Sequence, residues 1–246
     1  MRSLLRGAWR TAVPAPGDRH GPLPPLLLAL TVLSGVIDAV SYLMLGHVFV
    51  ANMTGNVVFL GFALAGAPGF SVTASLVALV AFAAGAFLGG RLLGQVGHRG
   101  RAVLRAGVAE TALIAAAALV VAVDPVSAAG SSNSPRYLSA AVLAVAMGIQ
   151  NAMVAVVAVP DLTTTVLTRT ITGVFADTGR SGRLEEKAGR QLLSVLTLAG
   201  GAVAGAVLVL HNDQSTALAV PAALAAVVTL AAVRPARSGE PWTEAV

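Results

Sequence analysis

Residues 34–56, SGVIDAVSYLMLGHVFVANMTGN, place a carboxylate, Asp38, inside a stretch that is otherwise apolar enough to cross a bilayer. A small polar group, Asn52-Met-Thr-Gly-Asn56, follows it. An ionisable residue at the centre of a membrane helix costs about 2.5–3.5 kcal/mol on insertion scales. Such a residue is usually retained for a function or paired inside the protein, so this stretch is the first candidate for a functional site.

The whole chain has the composition of a polytopic membrane protein. It is 56% hydrophobic and 11% charged, with a mean hydropathy of +0.82, whereas about a quarter of the residues in a soluble domain are charged. A spanning helix takes about 20 residues, so the 246 residues leave room for six or seven crossings and for no separate soluble domain. We therefore expect an all-α transmembrane helix bundle in a lipid bilayer.

Six apolar runs have the length that a bilayer demands of a spanning helix. Two further segments are ambiguous: 48–66 is apolar but interrupted by polar residues, and 161–179 is rich in threonine and holds Arg169 and Asp177. We therefore expect about six spans plus two broken or re-entrant segments. The predicted spans are 24–45, 71–91, 102–123, 137–159, 191–210 and 215–233.

Arginine and lysine fix the expected orientation, because short cytoplasmic loops collect positive charge. Clusters of these residues predict cytoplasmic N- and C-terminal tails, 1–23 and 234–246, and a cytoplasmic loop at 91–105. An even number of crossings must then separate the N-terminal tail from that loop, so 48–66 is expected to re-enter, and the same parity keeps 161–179 from crossing. The alternative is seven spans with an external N-terminus, which leaves four arginines outside. We favour six spans, and we expect the short C-terminal tail to be disordered.

The two halves of the chain resemble each other in sequence. Short matches also arise by chance in a chain rich in alanine and glycine, but three occur in the same order with similar offsets. Because each half holds three crossings, the second half would be inverted relative to the first. We therefore predict a transmembrane domain, 24–233, made of an inverted repeat, 24–123 and 137–233, with a polar site where the broken segments meet. The matches pair Gly35-Val-Ile-Asp38-Ala39 with Gly148-Ile-Gln-Asn151-Ala152, Thr54-Gly55 with Thr172-Gly173, and Gly85-Ala86-x-x-Gly89 with Gly201-Ala202-x-x-Gly205.

The same residues resemble a known family. GVIDAVSYLMLGHVFVANMTGNVVFLG in the first half, with AMGIQNAMVAVV and TTTVLTRTITG in the second, is similar to the YoaK-like family of bacterial integral membrane proteins, a domain-of-unknown-function family. The resemblance covers most of residues 24–233. It implies a multi-pass protein of the bacterial inner membrane with about six spans and no established activity. One departure from the expected pattern is that Arg169 and Thr170 precede Thr172-Gly173.

Polar residues in the ambiguous segments and the neighbouring spans are candidates for a solute or ion path. Asp38 is either a proton or cation site, with Ser34, Ser41 or Tyr42 as hydrogen-bond partners, or a carboxyl group that ties helices together. Gln150 and Asn151 are its neutral counterpart or amides that join helices. The predicted path residues are Ser34, Asp38, Ser41, Tyr42, Asn52, Thr54, Asn56, Gln150, Asn151, Thr168, Arg169 and Thr172.

Three further features of the sequence carry expectations about structure. Glu110 is expected to snorkel toward the surface or to pair with Arg105. Arg169 either lies in the cavity, where it would favour anions, or is one more charge at the cytoplasmic surface. The paired glycines at 85 and 89, and at 201 and 205, are expected to permit close packing of helices.

Several classes of function lack support in the sequence. It has no P-loop, no G-x-S-x-G elbow, no H-E-x-x-H motif and no Rossmann glycine pattern, so we expect no enzyme and no cofactor. Its four histidines have no metal-ligand spacing and it has no cysteine, so we expect no metal site, and its positive charge is assigned to orientation rather than to nucleic acid.

The leading hypothesis is a small-solute or ion transporter or channel with a polar midplane site around Asp38. One alternative is a non-transporting scaffold or sensor whose polar residues are fully packed and whose glycine faces serve association, for instance as a homo-oligomer. Another is a lipid-handling protein with a groove open sideways to the membrane. The sequence leaves the solute, the coupling ion and the oligomeric state open.

Overall fold

Six long helices of a computed structural model are apolar enough to cross a membrane; the structure describes residues 2–15, 17–126, 134–159 and 182–244. The described helices are α1 (Arg2–Ala12), α2 (Leu23–Met44), α3 (Met53–Leu64), α4 (Val72–Leu93), α5 (Arg99–Val123), α6 (Ser134–Val157), α7 (Gly182–His211), α8 (Gln214–Ala231) and α9 (Val233–Ala236). The six candidate spans are α2, α4, α5, α6, the Ala188–His211 part of α7, and α8 continued through α9. Each overlaps one predicted span, so the prediction of six helices long and apolar enough to cross a membrane is confirmed.

The apolar helix α3 is too short to cross a bilayer. Its 12 residues rise about 18 Å, whereas the hydrocarbon core is about 30 Å thick. The chain before it and the chain after it lie together: Nδ1 of His47 is 3.0 Å from the carbonyl oxygen of Gly69, and the His47 ring packs on Phe70. Residues 45–71 therefore leave and return at one face of the bundle.

The ends of the six long helices define two faces. At the face that holds the chain termini, Nε of Arg99 donates to the carbonyl oxygen of Val157 over 2.8 Å. At the opposite face, the amide of Gln214 pairs with both backbone groups of Val126, over 2.9 and 2.8 Å. We call these the terminal face and the far face; residues 45–71 leave and return at the far face.

The C-terminal tail is ordered as far as Glu244, so the expectation of a disordered tail was wrong. Trp242 is 9% exposed, and its ring lies so close to Gly21 that a Cβ there would be 2.6 Å from it. The ring nitrogen Nε2 of His98 lies 3.0 Å from the carbonyl oxygen of Ser238. The tail is fixed by these tertiary contacts, which its own composition does not indicate.

Glycines bring α2 and α7 into backbone contact. A Cβ on Gly35 would overlap the carbonyl oxygen of Leu198, and a Cβ on Gly201 would overlap that of Val32. Gly205 lies in the same way against the backbone of Val36. Only residues without a side chain permit so close an approach, and the expected packing role of this glycine pair is confirmed.

The same arrangement joins α6 and α4. A Cβ on Gly148 would overlap the carbonyl oxygen of Phe82, and a Cβ on Gly85 would overlap that of Val145. Each of these four residues has a sequence counterpart at the α2–α7 interface. Adding 113 to a position on α2 gives the equivalent position on α6, and adding 116 to a position on α4 gives the equivalent position on α7. One interface is therefore formed twice, and each copy pairs a helix of the first half with a helix of the second.

Adjacent glycines on α7 provide a test of this packing. We expect Gly201→Ala to lower the midpoint of thermal unfolding, because its methyl group would meet the Val32 backbone and overpacking costs about 1–3 kcal/mol. Gly200→Ala is the matched control, since no neighbouring atom in the described part of the chain lies within 4 Å of its Cβ position. Unfolding of the purified protein in detergent is the measurement, and equal midpoints for the two variants would contradict the close approach.

Candidate functional site around Asp38

Asp38 lies on α2, less than two turns before this helix ends, and is 5% exposed. After α2 the backbone passes through Gly46 and His47 with φ of +105° and +56°. This left-handed conformation is disfavoured for a residue with a Cβ, and it turns the chain sharply. The chain then runs back beside the last turns of α2, so residues 50–52 lie at the level of Asp38.

The carboxylate of Asp38 accepts three hydrogen bonds from this returning chain. Oδ1 accepts from the backbone N–H of Val50 over 2.9 Å and from that of Ala51 over 2.7 Å. Oδ2 accepts from the side-chain amide of Asn52. An ionised carboxylate is an acceptor only, so the three donors match its charged form. We call this set, Asp38 with Val50, Ala51 and Asn52, the Asp38 clamp.

Asn56 holds the residue before the clamp. This fully buried side chain lies in the first turn of α3. Its Oδ1 accepts from the backbone N–H of Phe49 over 2.9 Å, and its Nδ2 donates to the carbonyl oxygen of the same residue. Three consecutive backbone N–H groups are thus paired by two side chains, which is what non-helical backbone at membrane depth requires.

Aromatic rings hold α3 against the end of α2. The Tyr42 ring stacks on that of Phe49 with centroids 5.2 Å apart, and Phe59 of α3 lies 5.5 Å from Phe49. Phe59 in turn packs on Phe70 at 5.2 Å. Such pairs stabilise by about 0.5–1.5 kcal/mol each beyond the area they bury. The returning chain is therefore fixed by side chains on both sides of it.

A cavity of about 480 Å³ lies between α2, α7 and the Asp38 clamp. Asp38, Asn52 and Tyr42 supply its polar groups, and the other walls are carbon. One wall includes Leu43, which is 45% exposed. The described residues that line it are Gly35, Asp38, Ala39, Tyr42, Leu43, Phe49, Asn52, Leu198 and Ala202.

The hydrogen-bond partners predicted for Asp38 were wrong. Ser34 donates to the carbonyl oxygen of Leu30, and Ser41 donates to the backbone carbonyl of Asp38 rather than to its carboxylate. Tyr42 meets the returning chain through its ring. The carboxylate is instead satisfied by residues 50–52, because the chain folds back on itself, and helical spacing within α2 does not indicate that.

In the second half, the side chains of Gln150 and Asn151 have different hydrogen-bond partners. Nε2 of Gln150 donates to the hydroxyl of Ser34 over 2.8 Å, which links α6 to α2 in the buried centre. Asn151, the counterpart of Asp38 by sequence, donates over 2.9 Å to the carbonyl oxygen of Met147 on its own helix. The helix-joining interpretation therefore fits Gln150 and does not fit Asn151.

Some of the remaining candidates for the solute path lie in the described part of the chain, and others do not. Thr54 is exposed on α3 and is not part of the cavity lining, whereas Asn52 belongs to both the cavity and the clamp. The second ambiguous segment lies outside the described residues, so its members remain predictions. These are Thr168, Arg169 and Thr172, together with the second threonine-glycine break.

Glu110 is a second buried carboxyl group, and the expectation for it was wrong. It is 1% exposed, its Oε1 accepts no hydrogen bond from any described residue, and Arg105 is exposed. It neither snorkels nor pairs with that arginine. Its position one turn from Ala106 and Ile114, on the buried stripe of α5, was the sequence signal for its burial.

The clamp makes a specific prediction for paired substitutions. Asp38→Asn places two amide groups facing each other, so we expect a loss of about 1–3 kcal/mol, the usual effect of an unsatisfied buried donor. Adding Asn52→Asp restores a donor–acceptor pair and should recover part of that loss. A double-mutant cycle on the free energy of unfolding is the measurement. Strictly additive effects would show that the two side chains do not interact.

Comparison with known sequences gives a family match and a relative. The model of the family described as "Protein of unknown function (DUF1275)" matches residues 26–231. The UPF0700 transmembrane protein YoaK of Bacillus subtilis (strain 168) is 32% identical over 161 residues, which cover 65% of this chain and 68% of that protein. No solved structure matches the chain.

Proposed function

The chain belongs to the DUF1275 family of proteins of unknown function, and we propose from its geometry that it transports a small solute across the bacterial inner membrane. The observation that carries this proposal is the Asp38 clamp at the wall of a cavity. A buried carboxylate holds non-helical backbone at membrane depth, next to a space large enough for a ligand. In membrane proteins, ionisable residues of this kind mark substrate and ion pathways.

The proposed topology has six spans, with residues 45–64 as a re-entrant segment. The chain enters the bundle along residues 45–52 and leaves it along α3. Both its flanks lie at the far face, which the contact of His47 with Gly69 supports. The terminal face collects arginines such as Arg101 and Arg234, so the positive-inside rule assigns it to the cytoplasm.

The proposed architecture is an inverted repeat. Its support is the pair of equivalent glycine interfaces, in which α2 meets α7 and α6 meets α4 through matching backbone atoms. Three spans in each half give the halves opposite orientations. Transporters built in this way bind their substrate at the repeat interface, and one part rocks against the other. The cavity adjoins one such interface, because Gly35 and Ala202 contribute to both.

Asp38 provides a mechanism for gating. A proton on its carboxylate would remove the negative charge and turn one acceptor position into a donor, which would weaken the hydrogen bonds from Val50, Ala51 and Asn52. The clamp would loosen, and the returning chain, which forms the cavity wall at Phe49 and Asn52, would be free to move. Binding of a cation at the carboxylate would compete with the same donors. Occupancy of Asp38 would thus be coupled to access to the cavity.

One observation favours lipid handling as a second candidate function. Leu43 forms part of the cavity wall and is 45% exposed, so an opening beside it would face the membrane. The scaffold hypothesis required fully packed polar residues with no cavity, and the cavity beside Asp38 counts against it. In both the transport function and the lipid-handling function, Asp38 is the central residue of the proposed site.

Transport can be measured on proteoliposomes by solid-supported membrane electrophysiology, with a panel of amines, amino acids, sugars and inorganic ions. We expect at least one class to give a current that Asp38→Asn abolishes, because that variant cannot hold the charge. Asp124→Asn, which changes an exposed carboxylate at the far face, is the control and should retain the current. Folded protein that moves no member of the panel, or an Asp38→Asn current equal to that of the wild type, would contradict the proposal.

A further inference from the structure

We infer that the cavity beside Asp38 binds a protonated amine attached to a compact apolar body. This rests on the proposed function, because it names the substrate class for the same site. Three features of the cavity carry it: the charge of its walls, their apolar character, and two aromatic rings.

The charge of the cavity walls selects a cation. Among the described residues that line the cavity, Asp38 is the one acidic residue, and none is an arginine, a lysine or a histidine. The hydrogen bonds that the Asp38 carboxylate accepts in the clamp all come from neutral donors, so its negative charge is left for a ligand to balance. A buried carboxylate without a cationic partner is stabilised when a ligand supplies the positive charge.

The apolar walls select an organic cation over a hydrated metal ion. Gly35, Ala39, Leu198 and Ala202 offer carbon and no side-chain oxygen. A hard metal cation takes about six or more oxygen ligands, and the side-chain oxygens of Asp38, Asn52 and Tyr42 fall short of that number. An ammonium group needs only a few acceptors, and an apolar body gains by covering the carbon walls. The volume of about 480 Å³ lies in the ordinary range for small-molecule sites.

Two aromatic rings add to this preference. Tyr42 and Phe49 stack on each other, with centroids 5.2 Å apart, and both line the cavity. Aromatic faces attract ammonium groups within about 6 Å and have no such attraction for anions. Carboxylate, rings and carbon walls together describe a site for R–NH₃⁺ with an apolar R group.

An amine of this kind has two sources, a free solute or the headgroup of an aminophospholipid. The exposed wall at Leu43 would admit the lipid from the side, and a soluble amine would enter from the far face. Both present the same ammonium chemistry to Asp38, so the experiment below contains an arm for each.

Isothermal titration calorimetry on the protein in phosphatidylcholine nanodiscs tests the inference. The probes are cyclohexylmethylamine, cyclohexylmethanol and cyclohexanecarboxylate, which share one ring and differ in charge. We expect the amine to bind about tenfold or more tighter than the alcohol, which corresponds to about 1.4 kcal/mol, and the carboxylate not to bind. Equal affinities for amine and alcohol, or tightest binding of the carboxylate, would overturn the inference.

Substitutions test whether the amine and the alcohol bind in this cavity. Asp38→Asn should remove the preference for the amine over the alcohol. Ala202→Leu should weaken both by filling the cavity, while Ala86→Leu, at the equivalent half-buried position of the first half, should leave both unchanged. Equal effects of the two leucine substitutions would overturn the assignment to this cavity, and this comparison holds even if Asp38→Asn does not fold.

Nanodiscs that also contain phosphatidylethanolamine distinguish the two sources. A weaker apparent affinity for the amine there identifies the lipid headgroup as a competitor, and an unchanged affinity identifies a free solute; both results support an ammonium site. The proposed function is tested separately. Amine binding without transport would overturn only the transport proposal, whereas transport of another panel member without amine binding would overturn only this inference.

Discussion

The hydrogen bonds of Asp38 and Asn56 to the chain that follows α2 are the constraint on which the rest of the structure depends. Backbone N–H groups at membrane depth need partners, because each unpaired group costs several kcal/mol in hydrocarbon. Residues 49–51 obtain theirs from these two side chains. With its backbone paired, the chain can turn inside the bundle, and α3 can be short. The clamp also forms one wall of the cavity, so one set of contacts determines both the topology and the site.

The two halves share their packing and differ in their chemistry. The α2–α7 and α4–α6 interfaces use glycines at equivalent positions and contact equivalent backbone atoms. Asp38 and Asn151 are also equivalent in sequence, yet the first binds a returning chain while the second binds a carbonyl of its own helix. At this pair of equivalent positions, the charge therefore lies in the first half. In the proposed transporter, this asymmetry would give one coupling site rather than two.

Sequence was sufficient for features that depend on local composition. Apolar length predicted the six spans, the polar interruption at Asn52 to Asn56 predicted a broken segment, and the spacing of Gly85 with Gly89 predicted close packing. Each of these follows from residues near one another in the chain. The match to the DUF1275 family agrees with the resemblance of the same motifs.

Sequence was insufficient where distant parts of the chain meet. The partners of Asp38 were sought on its own helix, but they lie 12 to 14 residues further on, because Gly46 and His47 reverse the chain. The tail at Trp242 is ordered by a contact with Gly21, more than 200 residues earlier. The burial of Glu110 depends on which face of α5 meets its neighbours.

The most direct test of the central claim is the sidedness of the loop after α3. The chain has no cysteine, so Ala15→Cys, at an exposed position before α2, and Ala65→Cys, at an exposed position where α3 ends, each introduce a single thiol. Each variant is labelled with a membrane-impermeant maleimide in intact and in permeabilised cells. If the Asp38 clamp turns the chain back, one span, α2, separates the two positions, so the Ala65→Cys variant reacts in intact cells and the Ala15→Cys variant only after permeabilisation. Reaction of both variants only after permeabilisation, or of both in intact cells, would mean that α3 crosses the membrane, and it would contradict the clamp.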